Sequence, residues 1–199
     1  MARKTTEEKI ENAALSLFAQ SGYKGTSTRK MAQVAGVSEL TIYRCYKTKE
    51  DLFRQSLLNR MPNEWLGVID MKPNWTLEDC LRSLFDQLYH TLLERQDLIQ
   101  IFYREGASSS QIVDLARQVP PKMWGPIKDH ILKACPDILP EIASQVAFQT
   151  FTSYLGICLI TFTFGPDIIP VPIHEYHESM IKTQAQRLKE TGCGQHTPF

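Results

Sequence analysis

The sequence predicts an all-α protein in which an N-terminal helix-turn-helix domain of three helices precedes a larger helical domain. Two observations predict this fold class. Hydrophobic residues recur at three- and four-residue spacing along most of the chain, and capping residues and glycines divide the first fifty residues into short segments. We expect about nine or ten helices in all, with residues 1–60 forming the first domain and its linking fourth helix, and residues 61–199 forming the second.

Helix 1 begins at a capping box, because Thr5 and Glu8 have the spacing at which each side chain caps the other's backbone. Its apolar face follows at helical spacing: Ile10, Ala13, Ala14, Leu17 and Phe18. We expect this helix to end near Gly22. Helix 2 is short and follows the hydroxyl residues 26–28, with Met31, Ala32 and Ala35 on its buried face.

The turn between helices 2 and 3 is tight. Gly36 can adopt the left-handed conformation that stops a helix, and Ser38 can cap the next one. In helix 3, from Glu39 to about Tyr46, Ile42 and Tyr46 lie four residues apart and should face inward. The remaining residues should face outward: Leu40, Thr41, Tyr43, Arg44 and Cys45. A fourth helix begins after Thr48.

The second domain is divided by proline and glycine. We expect helix breaks at 71–74, 106–110, 120–121, 135–136, 140 and 165–172, with the last two helices starting near Pro140 and Pro172. Residues 142–166 carry no charge, which raises a transmembrane helix as an alternative. Because glutamine, threonine and serine interrupt this run and no basic cluster flanks it, we expect a buried helix and no membrane partner.

Charge is distributed unevenly along a chain whose formal net charge is zero. Residues 1–60 hold 11 Lys and Arg against 6 Asp and Glu, whereas residues 61–199 hold 11 against 16. The basic excess indicates that the first domain is the one suited to a polyanion such as DNA.

The five cysteines are spread along the chain without a Cys-x-x-Cys pair. We therefore expect neither a disulfide framework nor a zinc site, and the reducing cytoplasm as the location. The segment around His174 and His177 lacks the order of a zinc-hydrolase motif, so no metal site and no cofactor is expected.

The first quarter of the chain resembles the TetR family of transcriptional regulators. The matching residues include Leu17-Phe18, Gly22-Tyr23, residues 26–28, Ala35-Gly36-Val37-Ser38, Ile42-Tyr43 and residues 46–53. Two positions depart from the family pattern, since Leu40 stands where a small residue is common and Cys45 where histidine is common. The resemblance implies a homodimer that binds double-stranded DNA at a palindromic operator.

The resemblance also implies DNA-contacting residues. Thr28, Tyr43 and Lys49 match phosphate contacts, and a second set matches variable, base-reading positions: Arg29, Ser38, Glu39, Leu40, Thr41 and Arg44. Arginine suits guanine, and a Leu or Thr methyl surface suits thymine. Alternatives stay open, because Thr28 and Glu39 could serve only as caps and Tyr43 could only pack.

In the second domain the resemblance implies an effector site and a dimer interface formed by the last two long helices. The aromatic candidates for an effector site are Phe85, Tyr89, Phe102, Tyr103, Trp124, Phe148 and Phe151. Aromatic residues at helical spacing are also ordinary core residues.

The function expected from these features is a transcriptional regulator, a repressor released by a small apolar or aromatic effector. An activator or an effector-independent regulator of the same fold is the alternative. A small-molecule-binding protein or an enzyme with a vestigial DNA-binding module is a further alternative, but no catalytic triad, carboxylate pair or cofactor motif favours it.

Overall fold

A computed structural model describes residues 5–61, 66–67, 72, 74–105 and 110–193. In these residues all regular secondary structure is helical, which confirms the all-α prediction. The α-helices are α1 (Thr6–Gly25), α2 (Thr28–Ala35), α3 (Glu39–Cys45), α4 (Lys49–Arg60), α5 (Leu77–Glu94), α6 (Gln96–Glu105), α7 (Ser110–Ala134), α8 (Pro140–Phe164) and α9 (Ile173–Glu190). A short 3-10 helix, Pro166–Ile168, joins α8 to α9. The predicted breaks at 71, 73 and 106–109 lie outside the described residues.

The first four helices begin at capping residues, as the sequence predicts. Thr5 and Glu8 form the capping box of α1, and the side chains of Ser27, Ser38 and Thr48 accept hydrogen bonds from the first turns of α2, α3 and α4. Gly36 adopts the left-handed conformation with φ 69° and ψ 36° and ends α2. The short helices are therefore set by local side-chain hydrogen bonds.

Two compact units make up the chain. The first takes residues 1–63 and also residues 97–116, so it includes α6, which a boundary at residue 60 leaves out. Its core lies where α1 packs against α2 and α4 and is centred on Ile10, Ala14 and Phe18, none of which is exposed. Burial of these side chains supplies most of the free energy that holds such short helices together.

The end of α6 is bound to the end of α1. Arg104 donates to the backbone carbonyl of Gln20 at 2.7 Å, and the Glu105 carboxylate accepts from the N–H of Tyr23 at 3.0 Å. Gly22, with φ 70° and ψ 170°, kinks α1 here, and a Cβ at this position would lie 2.8 Å from Glu105 Oε1. The backbone conformation therefore requires glycine here, and a side chain would also displace the end of the Glu105 carboxylate.

In the second unit α5 packs against α8 and α9. The buried face of α5 consists of Leu77, Leu81, Leu84, Phe85, Leu88 and Leu92. Near the end of α9, Arg187 donates to Gln145 and Gln149 near the start of α8. The helices α8 and α9 are therefore antiparallel neighbours.

Helix α7 contradicts one predicted break. It continues through Pro120 and Pro121, although proline lacks the N–H of a regular helical hydrogen bond. Met123, Ile127 and Ile131 follow at four-residue spacing and are buried. We attribute the continuation to this packing, since buried contacts outweigh the local cost of proline. The boundary between the two units falls nearby, after Ala116.

A disulfide joins Cys135 to Cys193 across 58 residues, so the expectation that the chain lacks one was wrong. The reason lies in the tertiary structure. Cys135 precedes α8 and Cys193 follows α9, and the antiparallel course of these helices returns the chain to the end where it started. Of the other cysteines, Cys45 is exposed and Cys158 is buried, and both are free thiols.

Helix α8 is long and apolar enough to cross a membrane by length and composition, as the uncharged run indicated, and a core helix passes the same test. One face is buried in the second unit and includes Ala143, Val146, Ala147, Phe151 and Tyr154. The opposite face is exposed and carries large apolar side chains such as Phe148 and Ile160. The expected burial is thus confirmed for one face only.

Candidate nucleic-acid interface

Helix α3 is held to the first unit by its inner face. Ile42 is buried, and so is Tyr46, whose hydroxyl donates to Glu11 Oε1 at 2.8 Å. Burial raises the pKa of the Tyr46 phenol, and its hydrogen bond to Glu11 acts in the same direction, so the hydroxyl keeps its proton as a donor. These contacts fix the rotation of α3 about its axis.

The outer face of α3 is consequently open to solvent. Leu40 is 61% exposed and Tyr43 is 49% exposed, while Arg44 and Cys45 are also exposed. A large leucine and a tyrosine in water cost free energy unless a partner covers them. The sequence prediction of an outward set on α3 is confirmed.

Thr28 connects α2 to α3. Its hydroxyl donates to Glu39 Oε1 at 2.5 Å and lies 3.3 Å from the hydroxyl of Tyr43. Three of the side chains expected at DNA thus form one hydrogen-bonded group in the protein itself. Glu39 is the first residue of α3, where a carboxylate is stabilised by the helix dipole.

Ser38 and Thr41 form a second pair at the start of α3. Ser38 Oγ accepts from the backbone N–H of Thr41 at 3.1 Å, and the two hydroxyl oxygens lie 2.8 Å apart. Both side chains remain near the surface. The pair places two hydroxyl groups beside the N-terminal end of the helix, where backbone N–H groups favour an anion.

Lys49 lies at the start of α4 and contacts α1. Its ammonium group donates to the backbone carbonyl of Tyr23 and lies 4.2 Å from the centre of the Tyr23 ring. Partial burial lowers the pKa of Lys49, and the carboxylate of Glu105 acts in the opposite direction. Lys49, which the family resemblance assigns to a DNA phosphate, is therefore part of the junction where α1, α4 and α6 meet.

All nine residues expected at DNA lie on the start of α2, on α3 with its cap, or at the start of α4. Within the part of the chain that is described, the exposed Arg29 and Arg44 have no ion-pair partner, so their guanidinium groups are available to an anion. Residues 1–60 of this unit also carry more basic than acidic residues, so their net charge is positive like that of the two arginines. The arrangement can hold a polyanion and present side chains to its surface.

The aromatic residues expected at an effector are divided between the two units. Phe102 and Tyr103 lie on α6 in the first unit, and the Tyr103 side chain is 72% exposed. In the second unit Trp124 contacts Phe148 edge to face, with 6.5 Å between ring centres. Phe148 is itself half exposed.

A second aromatic group of that unit centres on Tyr154, which is completely buried. Its ring lies 5.9 Å from Phe85, 6.0 Å from Tyr89 and 5.3 Å from His177. Phe85 and Tyr89 were among the residues expected at an effector. Tyr154 is also an aromatic residue able to line such a cavity, whereas His177 was not expected, although a histidine on the apolar stripe of α9, four residues before Ile181, is a signal that the sequence contains.

Three short capped helices with an anchored, outward-facing third helix define a helix-turn-helix protein of all-α class. Residues 10–55 match the model of the family described as bacterial regulatory proteins, tetR family. The chain is 29% identical over 129 residues to the uncharacterized HTH-type transcriptional regulator YvkB of Bacillus subtilis, covering 63% of this chain and 66% of YvkB. It is 30% identical over 108 residues to the regulator YuxN of the same organism, covering 52% of this chain and 36% of YuxN.

Solved structures show the same fold. A transcriptional regulator from Rhodococcus sp. RHA1 superposes with a TM-score of 0.66 at 19% identity, covering 94% of this chain and 97% of that one. A TetR-like transcriptional regulator from the same source gives 0.65 at 14% identity with the same coverage. Residues 10–55 thus match the tetR family in sequence, and the chain has the fold of TetR-like regulators. The matches span just under two thirds of YvkB and about a third of YuxN.

Proposed function

We propose that the protein is a sequence-specific DNA-binding transcriptional regulator that represses its target as a homodimer. The observation that carries the proposal is the fixed outer face of α3, where Leu40, Tyr43 and Arg44 project from a basic unit while Ile42 and Tyr46 anchor the helix. A helix presented in this way fits the major groove, where side chains reach base edges.

In this proposal the contacts have two roles. Thr28, Tyr43 and Lys49 hold phosphates, contacts that carry no sequence information, and the charge of Lys49 makes the affinity dependent on salt. Arg29 and Arg44 read base edges, where one bidentate arginine–guanine pair discriminates by about 1 to 3 kcal/mol. The remaining base-reading set is Ser38, Glu39, Leu40 and Thr41.

We propose that the exposed face of α8 forms the dimer interface and that the operator is a palindrome. Thr152, Gly156 and Ile160 follow one another at four-residue spacing on this uncharged face. A Cβ placed on Gly156 would meet no atom of the chain within 4 Å, so a helix of a second copy could approach closely. Two copies would present two α3 helices to half-sites about 34 Å apart.

We propose further that a small apolar or aromatic effector binds the second unit and lowers the affinity for DNA. The buried aromatic group around Tyr154 supports a site of this chemistry. Coupling of effector to DNA requires a difference in effector affinity between two states of the protein, typically about 1 to 3 kcal/mol. The proposal assigns the protein no catalytic role or cofactor and places it in the cytoplasm.

The test is the recovery of genomic fragments on the purified protein at near-physiological salt, followed by sequencing and by affinity measurements on the enriched site. Arg44→Ala should weaken binding to that site by about 5- to 150-fold and relax its sequence preference. Arg54→Ala is the matched control, because it removes the same charge from α4 and takes away only a weak pair with Asp51 at 3.5 Å.

An enriched palindrome that Arg44→Ala no longer selects would support the proposal. Equal binding by wild type and Arg44→Ala, or equal losses in both arginine variants, would refute the assigned reading face. Transcription in vitro from a promoter that carries the recovered site distinguishes repression from activation. Sedimentation of wild type against Ile160→Glu tests the dimer, since a buried glutamate would separate the two copies.

A further inference from the structure

Four polar side chains of the second unit are at least nine-tenths buried and have an atom without a hydrogen-bond partner in the protein. They are Thr150 and Tyr154 on α8, and His177 and Gln184 on α9. His177 Nε2 lies 3.3 Å from Asp86 Oδ1 but not in hydrogen-bonding geometry. Buried polar atoms of native proteins almost always have a partner in the protein, a water or a ligand, so a group of four on two neighbouring helices calls for such a partner.

These side chains lie on the buried faces of the antiparallel neighbours α8 and α9, and the four together are called the strip here. Tyr154 and His177 lie together, with 5.3 Å between their rings. The contacts of Arg187 with Gln145 and Gln149 set the antiparallel register, which places Gln184 at about the level of Thr150. At a rise of 1.5 Å per residue, the strip is about 6 Å long on α8 and about 10 Å long on α9.

Aromatic rings line the same strip. Phe85 and Tyr89 of α5 contact the Tyr154 ring from one side, and Tyr176 meets it edge to face with 6.1 Å between ring centres. Flat rings around a few convergent polar atoms are typical of sites for aromatic molecules. The length of the strip corresponds to a compound of two fused rings.

The polar groups of the strip are uncharged near neutral pH. Burial lowers the pKa of His177, outweighing the opposite effect of Asp86, while Arg82 and His90 add to the lowering. Burial also raises the pKa of Tyr154, so the hydroxyl stays protonated. The nearby guanidinium of Arg82 is engaged by the carboxylate of Glu178. A carboxylate placed here would meet no available cation among these groups and would face Asp86.

We propose that this strip, defined by Thr150, Tyr154, His177 and Gln184, selects an aromatic effector that carries a neutral hydrogen-bonding group, such as a phenol, and discriminates against an aromatic carboxylate. The inference rests on the proposed function, because it names the chemical class of the effector. A phenolic hydroxyl can donate to the imidazole nitrogen or to the glutamine oxygen and accept from the tyrosine hydroxyl. An unsubstituted ring would leave these atoms unsatisfied.

Calorimetric titration of the full chain at pH 7.5 with three probes of one size tests the proposal: naphthalene, 2-naphthol and 2-naphthoate. We expect 2-naphthol to bind more tightly than naphthalene, by about 2- to 10-fold for each neutral hydrogen bond that it gains. We expect 2-naphthoate to bind more weakly than either. This ranking is measured on the wild-type protein and does not depend on a variant that folds.

Tyr154→Phe keeps the ring and removes the hydroxyl that would donate to the phenol, so it should lower the ratio of the two affinities, 2-naphthol over naphthalene, toward one. Thr191→Val is the control, because it removes one exposed hydroxyl at the end of α9 that donates to the backbone carbonyl of Arg187, and the ratio should stay at the wild-type value. Absence of binding by all three probes, a preference for 2-naphthoate, or an unchanged ratio in Tyr154→Phe would overturn the proposal.

The same samples separate this proposal from the proposed function. If 2-naphthol binds with the expected preference but leaves the affinity for the recovered DNA site unchanged, the selective strip is supported and effector release fails. If DNA binds with the expected sequence preference while the probes show no preference among themselves, the strip fails and DNA binding is supported.

Discussion

Reducing the disulfide between Cys135 and Cys193 should lower the free energy of unfolding of the protein by several kcal/mol. The bond closes a loop of 58 residues that contains all of α8 and α9. In the chain-entropy account, a crosslink of this span restricts the unfolded chain and contributes about 4 kcal/mol at 25 °C. Because both cysteines are buried, reduction removes this contribution and leaves the sulfur atoms in the same apolar surroundings.

The assay is urea unfolding followed by circular dichroism, on protein oxidised with glutathione disulfide and on protein reduced with a phosphine. If the two forms are unfolded by heat instead of urea, about 4 kcal/mol corresponds to a lowering of Tm by roughly 8 to 16 °C for a chain of this length. The double variant Cys135→Ser, Cys193→Ser is the control, and its unfolding should not respond to the reductant. Protein concentration is kept constant, because the proposed dimer would also contribute to stability.

The number of free thiols gives an independent test for the disulfide. Denatured oxidised protein should take up alkylating reagent at three cysteines, whereas reduced protein should take it up at all five. Two results would show that the antiparallel α8–α9 geometry does not bring these sulfurs together. One is five alkylated cysteines after oxidation, and the other is a free energy of unfolding that agrees between the oxidised and reduced forms within about 1 kcal/mol.

Two further outcomes are expected. Gly22→Ala should destabilise the protein by about 2 to 3 kcal/mol, because Gly22 has φ 70° and ψ 170°, a region that only glycine adopts freely. Gly36→Ala should cost about 1 kcal/mol, because Gly36 is left-handed in open space. Equal losses in urea unfolding would contradict the assigned backbone conformation of Gly22. The free energy of unfolding should fall as pH drops below about 6.5 and should continue to fall down to the folded-state pKa of His177. The reason is that the pKa of His177 is lowered in the folded protein, so the unfolded chain binds a proton more readily. A His177→Gln variant with the wild-type slope between pH 7.5 and 5.5 would exclude this histidine as the cause.

The first four helices could be predicted closely, because their ends depend on residues a few positions apart. Ser38 caps α3, and Gly36 ends α2 with the left-handed conformation expected of it. The inward turn of Ile42 and Tyr46 also follows from spacing within one helix. Caps, helix-ending glycines and spacing within one helix can therefore be recognised from the sequence alone.

Features that depend on distant contacts could not be predicted. Arg104 and Glu105 lie 84 and 82 residues from the backbone groups that they bind in α1, and no local pattern marks them. The disulfide likewise follows from the course of two helices, and the continuity of α7 through Pro121 depends on packing beyond it. The strip around Tyr154 was missed for the same reason, since its members come from two helices.

The hydrogen-bonded group of Thr28, Glu39 and Tyr43 has a consequence for how fast the proposed complex could form and dissociate. These side chains are already ordered before any phosphate arrives, so less rotamer entropy is lost on binding, a saving of about 0.5 to 1.5 kcal/mol for each ordered side chain. The Glu39 carboxylate, however, competes with an arriving phosphate for the hydroxyl proton of Thr28. Association would then include a partner exchange at this threonine, and Glu39→Gln, which removes the charge of the competing acceptor, would accelerate it.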